Sequence, residues 1–209
     1  MKTGIKLTLS LLLMALLTAC MGIGTKDEED IQHFYVIDVD RGSVAAEFVK
    51  NRVLRIKPVK VTSHFSGKQI VFRIGENEYQ SQHNHEFFTQ PDELFTEHLK
   101  KWMQKTGLFS HIVIDDASPA DMVLETAVTA LYGDNREQFS PQAVLEMQFF
   151  LTKEAGDSSQ ALFQTGLRVD IDIEETTAAN VVKAWNLGLV ELLATVEDDF
   201  SGFFSKRNP

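Results

Sequence analysis

The chain has 209 residues, 44% hydrophobic and 24% charged, with 5 prolines and 12 glycines. These ordinary globular proportions exclude collagen-like, coiled-coil and wholly disordered chains, and the length favours one domain with at most a tail. Thirty acidic residues against twenty basic ones give a net charge of −10, the wrong sign for nonspecific binding to a phosphate backbone, so no nucleic-acid partner is expected.

Met1–Lys6 carries two lysines, and Leu7–Leu17 is apolar but for Thr8 and Ser10. That is the basic and apolar pair of regions of a secretory leader, shorter than the roughly 20 residues a spanning helix needs. It closes on Leu17-Thr18-Ala19-Cys20, which looks like a bacterial lipobox. Cys20 is the sole cysteine, so no disulfide within the chain and no Cys-x-x-Cys metal site can form. It is the expected lipidation site, carrying palmitate-type acyl chains. Each buried CH₂ contributes about 0.8 kcal/mol, so two or three chains hold the protein at a bilayer. Lipoproteins of this kind are retained in the inner membrane when Asp follows the cysteine. Met21 follows here, so the expected place is the periplasmic face of the outer membrane. Residues 20–31, with Gly22, Gly24 and the charged run Lys26–Asp30, read as a flexible tether.

Phe34–Val39 reads as a first strand, Val53–Thr62 as an irregular one interrupted by Pro58, and Gln69–Ile74 as a third. Gly75–Glu78 is a turn, and Tyr79–Gln82 the return arm of a hairpin. Leu94, Phe95, Leu99, Trp102 and Met103 recur at helical spacing between Pro91 and Gly107. Ile112-Val113-Ile114 then reads as a strand buried on both faces, and the strand–helix–strand order predicts a right-handed βαβ crossover. Met122–Tyr132 is a strand. Pro141–Lys153 and Ala161–Ile173 form a long hairpin around Gly156-Asp157-Ser158-Ser159. Thr176–Phe200 carries one helical stripe through Val182, Trp185, Leu189, Leu192, Leu193 and Val196, with Thr176 or Thr177 as its cap. The expected organisation is a leader at 1–19, a lipidated tether at 20–31, one domain at 32–200 and a tail at 201–209. The domain is of the α/β (or α+β) class, with a mixed, mostly antiparallel sheet and two main helices.

Chemical motifs are sparse. His83-x-His85 can place two imidazoles on one strand face, yet a third ligand would have to converge from His98 or His111, so a solvated loop is the simpler reading and no metal or cofactor is expected. Asp115-Asp116 and Asp121 read as turn formers, because neighbouring strand residues face opposite ways. The Gly-x-Ser-x-Gly elbow, the Walker loop and His-Glu-x-x-His are absent, which leaves an enzyme without positive support. Of the aromatic pairs Phe87-Phe88, Phe149-Phe150 and Phe203-Phe204, the first sits in a loop ahead of a helix and is the best candidate for an exposed contact.

The lipobox, the early Phe-Tyr-Val strand, Leu54–Val61 ahead of Ile70-Val71-Phe72-Arg73-Ile74-Gly75, Trp102–Phe109, and Leu131-Tyr132-Gly133-Asp134 followed by Ala143–Phe149 stand in this order along the chain. Together they resemble the ABC-type transport auxiliary lipoprotein family, whose members accompany MCE (mammalian-cell-entry) lipid transport systems, including the paraquat-inducible one. The resemblance implies a non-catalytic periplasmic component of a lipid transport system linking inner and outer membranes. Its fold would be a three-layer domain like the anticodon-binding type. Its partners would be an MCE-domain protein and inner-membrane permease or ATPase subunits, with homo-oligomeric rings as a further expectation. Phe87, Phe88, Tyr132, Asp134 and Arg136 are the expected docking residues, since loops on a rigid scaffold commonly carry function. The alternatives are an outer-membrane assembly or translocon accessory lipoprotein and a periplasmic metal-binding lipoprotein.

Overall fold

The computed structural model describes residues 31–155 and 158–207. The leader, Cys20 and residues 21–30 of the tether lie outside the described residues, as do hairpin residues 156 and 157. Among the described residues nine strands form one mixed sheet, with two α-helices. In chain order they are β1 (His33–Tyr35), β2 (Val53–Ile56), β3 (Lys60–Val61), β4 (Gln69–Arg73), β5 (Tyr79–Phe87), α1 (Pro91–Lys105), β6 (His111–Val113), β7 (Met122–Asp134), β8 (Gln142–Ala155), β9 (Ser158–Asp172) and α2 (Ala178–Arg207). The class is mixed α/β, as expected.

β7 organises the sheet. One edge pairs antiparallel with β8, which continues antiparallel into β9. The other edge receives β2, β3 and β4 in succession, all parallel. β2 passes on to β6, and β4 to β5 and β1. The β7 residues opposite the buried odd-numbered set of β8 change parity along the strand, from Leu124, Thr126 and Val128 to Leu131 and Gly133, and every residue from Ala130 to Asp134 is buried. A bulge at Thr129 absorbs the change, with Val128 opposite Met147 and Ala130 opposite Glu146. On β8, Ala143, Leu145, Met147, Phe149 and Leu151 keep one parity and are all fully buried.

Pro58 separates β2 from β3 because it has no N–H to give the ladder. The next N–H, of Val59, is donated instead to Thr96 Oγ1 on α1 at 2.8 Å. Helix α1 has Pro91, Asp92 and Glu93 in its first turn and Lys105 in its last, matching its dipole. Gly107 just beyond it has φ of 75°, and an added Cβ there would lie 2.5 Å from the Glu47 carbonyl oxygen, so only glycine fits. Thr177 Oγ1 accepts from Asn180 N–H at 3.2 Å and caps α2. Gly133 and Gly188 bring α2 close: a Cβ on either would fall 2.8 Å from Val181 or Val169 respectively. The helices also meet each other, Trp102 Nε1 donating to Glu197 at 3.0 Å. One contiguous apolar core results, running in sequence from Ile37 to Phe204.

Several expectations need correction. β5 and β6 run in opposite directions and lie at different ends of the sheet, so α1 crosses the sheet rather than closing a βαβ unit. β6 has a single neighbour, which is why Ile112 alone is buried while His111 and Ile114 are exposed. β5 continues through Phe87, beyond the expected hairpin arm, because β1 adds to its free edge. α2 continues to Arg207, since Phe204 is buried against Phe109 and Phe200.

Candidate functional site

Three of the expected docking residues converge at the C-terminal end of β7. The Arg73–Asp134 and Arg73–Tyr79 pairings carry β4 and β5 alongside. Asp134 is buried, and Arg136 grips its carboxylate with Nε at 2.9 Å and Nη2 at 2.6 Å while its backbone N–H donates at 3.3 Å. Burial pushes the Asp134 carboxyl up, but the Arg136 hydrogen bonds and charge, with Arg73 beyond, outweigh it and hold it below the usual carboxylate range. Tyr132 lies 5.8 Å from the Phe65 ring and 5.7 Å from the Tyr79 ring. The Arg73 guanidinium stands 5.8 Å from Tyr79, and that of Arg136 stands 4.3 Å over the exposed Phe139. The result is a rigid surface of aromatic rings and arginines beside the polar loops. Arg73, Tyr79 and Phe139 belong to it and Phe65 is buried beneath; the sequence singled out none of them, because strand pairing and the loops beside it bring them together only in the fold.

The remaining two residues lie elsewhere. β5 carries Tyr79 at one end and Phe87 at the other, roughly 25 Å apart at about 3.3 Å per residue. Phe87 is 1% exposed, its ring 5.7 Å from that of Trp185, so it is a core residue and offers no surface. Phe88 is 64% exposed and meets Phe34 edge-on at 5.9 Å. Adjacent residues at a strand end point to opposite sides, which separates the pair. Of the five expected docking residues, Phe87 and Tyr132 therefore belong to the core and Asp134 is buried beneath Arg136, which leaves Arg136 and Phe88 on two separate surfaces.

The histidines and acids are engaged locally. His85 stacks on His33 at 4.8 Å and its Nδ1 lies 2.7 Å from the Tyr35 hydroxyl, with burial and then the His33 charge lowering its pKa. His98 is in the core, Nε2 at 2.7 Å from the Ile37 carbonyl oxygen. Asp115 accepts from Ser118 Oγ and from the N–H groups of Ser118 and Ala117, and those bonds lower its pKa. Asp121 accepts from the Val53 N–H at 2.8 Å. Among the described residues no group of three or more His, Cys, Asp or Glu side chains is arranged to hold a metal ion. Among them, too, no helix is long and apolar enough to cross a membrane.

Comparison with solved structures supports the fold. Protein XCC0632 from Xanthomonas campestris is 15% identical, matches 84% of this chain and 98% of its own, and has a TM-score of 0.71. A further crystal structure, of an uncharacterized protein, is 15% identical over 81% of this chain and 99% of its own, with a TM-score of 0.64. A search of the curated proteins returns no match. The family model for the ABC-type transport auxiliary lipoprotein component matches residues 35–197, from the first strand to the last turns of α2. The chain belongs to the family of ABC-type transport auxiliary lipoprotein components.

Proposed function

We propose that this protein is the lipid-anchored, non-catalytic periplasmic component of an MCE-type ABC lipid transport system, tethered through Cys20 to the inner leaflet of the outer membrane. Family membership across 35–197 carries the reading. The lipobox at Leu17–Cys20 and Met21 after it support the anchor and its sorting. The MCE-domain protein, with its permease and ATPase subunits behind it, docks on the end of the sheet where Arg73, Tyr79, Arg136 and Phe139 reach the surface over the buried Tyr132 and Asp134. Aromatic rings and arginines are the residue types enriched where binding energy concentrates. The decisive experiment is crosslinking in whole cells followed by identification of the captured partner. Recovery of an MCE-domain protein, lost on Arg136→Glu or Phe139→Ala, is the expected result. Capture of barrel-assembly components instead would replace this reading with that of an assembly accessory.

A further inference from the structure

At the end of the molecule opposite Asp134, the start of β7, the hairpin strands β8 and β9 and the last turns of α2 line an open pocket of about 390 Å³. Its lining divides by chemistry. Met122, Leu162, Phe203 and Phe204 form an apolar side, and Arg52, Lys153 and Gln160 a polar one. Phe204 belongs to a ring cluster with Phe109, Phe200 and Phe203, at centroid distances of 5.7, 6.4 and 5.3 Å, so the apolar wall is fixed. The Arg52 guanidinium lies 3.9 Å over the Phe204 ring while Nη1 donates to the Leu108 carbonyl at 3.1 Å. Those contacts aim it but supply no counter-charge. Burial lowers its pKa.

The charge balance is unusual for this chain. Acids outnumber bases thirty to twenty overall, yet the described lining holds two cations and no carboxylate. Asp121, next in sequence to Met122, has its carboxylate committed to the Val53 N–H. A half-buried cation facing an apolar wall gains most from a ligand that is itself anionic at one end and apolar along the rest. The volume lies within the range of about 300–1,000 Å³ usual for small-molecule sites.

We propose that this pocket binds one long-chain amphiphile with an anionic head, the carboxylate or phosphate on Arg52 and Lys153 and the chain against Met122, Leu162 and the Phe203–Phe204 wall. The site is complete within this chain and needs no transport partner, so it stands or falls separately from the function proposed above.

The test uses the chain from residue 20 with Cys20→Ser, which keeps the entire core and removes any acyl chain of its own. Titration with cis-parinaric acid should give saturable fluorescence, displaced by oleate and by lysophosphatidylglycerol. Methyl oleate, lacking the charge, and inorganic phosphate, lacking the chain, should not displace it. Lys153→Glu, at an exposed position, should weaken binding about tenfold, the scale of one charge-assisted hydrogen bond, with the thermal midpoint unchanged. Lys60→Glu makes the same charge change on β3 and should leave binding as it was. Absence of saturable binding, displacement by methyl oleate as good as by oleate, or equal weakening by Lys60→Glu would each overturn the proposal.

Discussion

At Asp134 three N–H donors of Arg136 converge on one buried carboxylate, and the surface proposed for docking is built on that junction. Because the folded pKa is lowered, the interaction contributes fully above the ordinary carboxylate value, near pH 4, and is lost as pH falls through the depressed folded value. Arg136→Ala leaves the carboxylate buried without its partner. It should cost about 1–3 kcal/mol in urea unfolding near neutral pH and move acid unfolding to higher pH. The neighbours Phe87 and Phe88 form a second test at this scale. Phe87→Ala opens a cavity beside Trp185 and should cost about 3–5 kcal/mol. Phe88→Ala removes an exposed ring and should change stability by no more than about 0.5 kcal/mol. Equal losses for the two would show that the strand end is placed differently.

Between elements, close approach is decided by small residues and by shared polar groups. Gly107 ends α1 and lets residues 45–49 lie across it, with Ala45 N–H donating to the Lys105 carbonyl and Val49 N–H to that of Gly107, both at 2.9 Å. Gly107→Ala imposes an unfavourable left-handed conformation and a collision with the Glu47 carbonyl. It should lose about 2–3 kcal/mol, measured by the thermal or urea midpoint, of which the backbone conformation alone accounts for roughly 1–2. Glu197 joins three segments in the same manner, accepting from Trp102 on α1 and, through both oxygens, from Arg41 in the loop before β2. Much at this level was legible: the α1 stripe with its Pro91 start and Gly107 stop, and the long β8–β9 hairpin. The continuation of β5 was not, because Gln82–Phe87 lacks an alternating pattern and is held extended by β1, a partner some fifty residues earlier.

For the whole molecule, attachment and fold are separate properties. Among the described residues every member of the buried core lies at or after Ile37, so removing the proposed anchor should release the protein without unfolding it. Cys20→Ala is expected to move the chain from the membrane fraction to the soluble periplasmic extract with its unfolding midpoint unchanged. Persistence in the membrane fraction would show that another surface does the holding. The acidic net charge acts at the same scale. It disfavours nonspecific adsorption to anionic lipid, so the proposed acyl anchor would have to supply the attachment.

The sequence by itself determined what depends on neighbours along the chain: the leader pattern and Cys20, the apolar faces of the helices, most strand positions, and through several short motifs the family. Tertiary structure decided what depends on register between distant strands. It put Phe87 in the core and Phe88 in water, gathered Arg73, Tyr79, Tyr132 and Arg136 at one end, and left an open pocket among residues 52, 122, 153, 160, 162, 203 and 204 at the other. Local propensity and periodicity act over a few residues, whereas a strand's partner and the side chains beside it are fixed only when the whole sheet closes on its core.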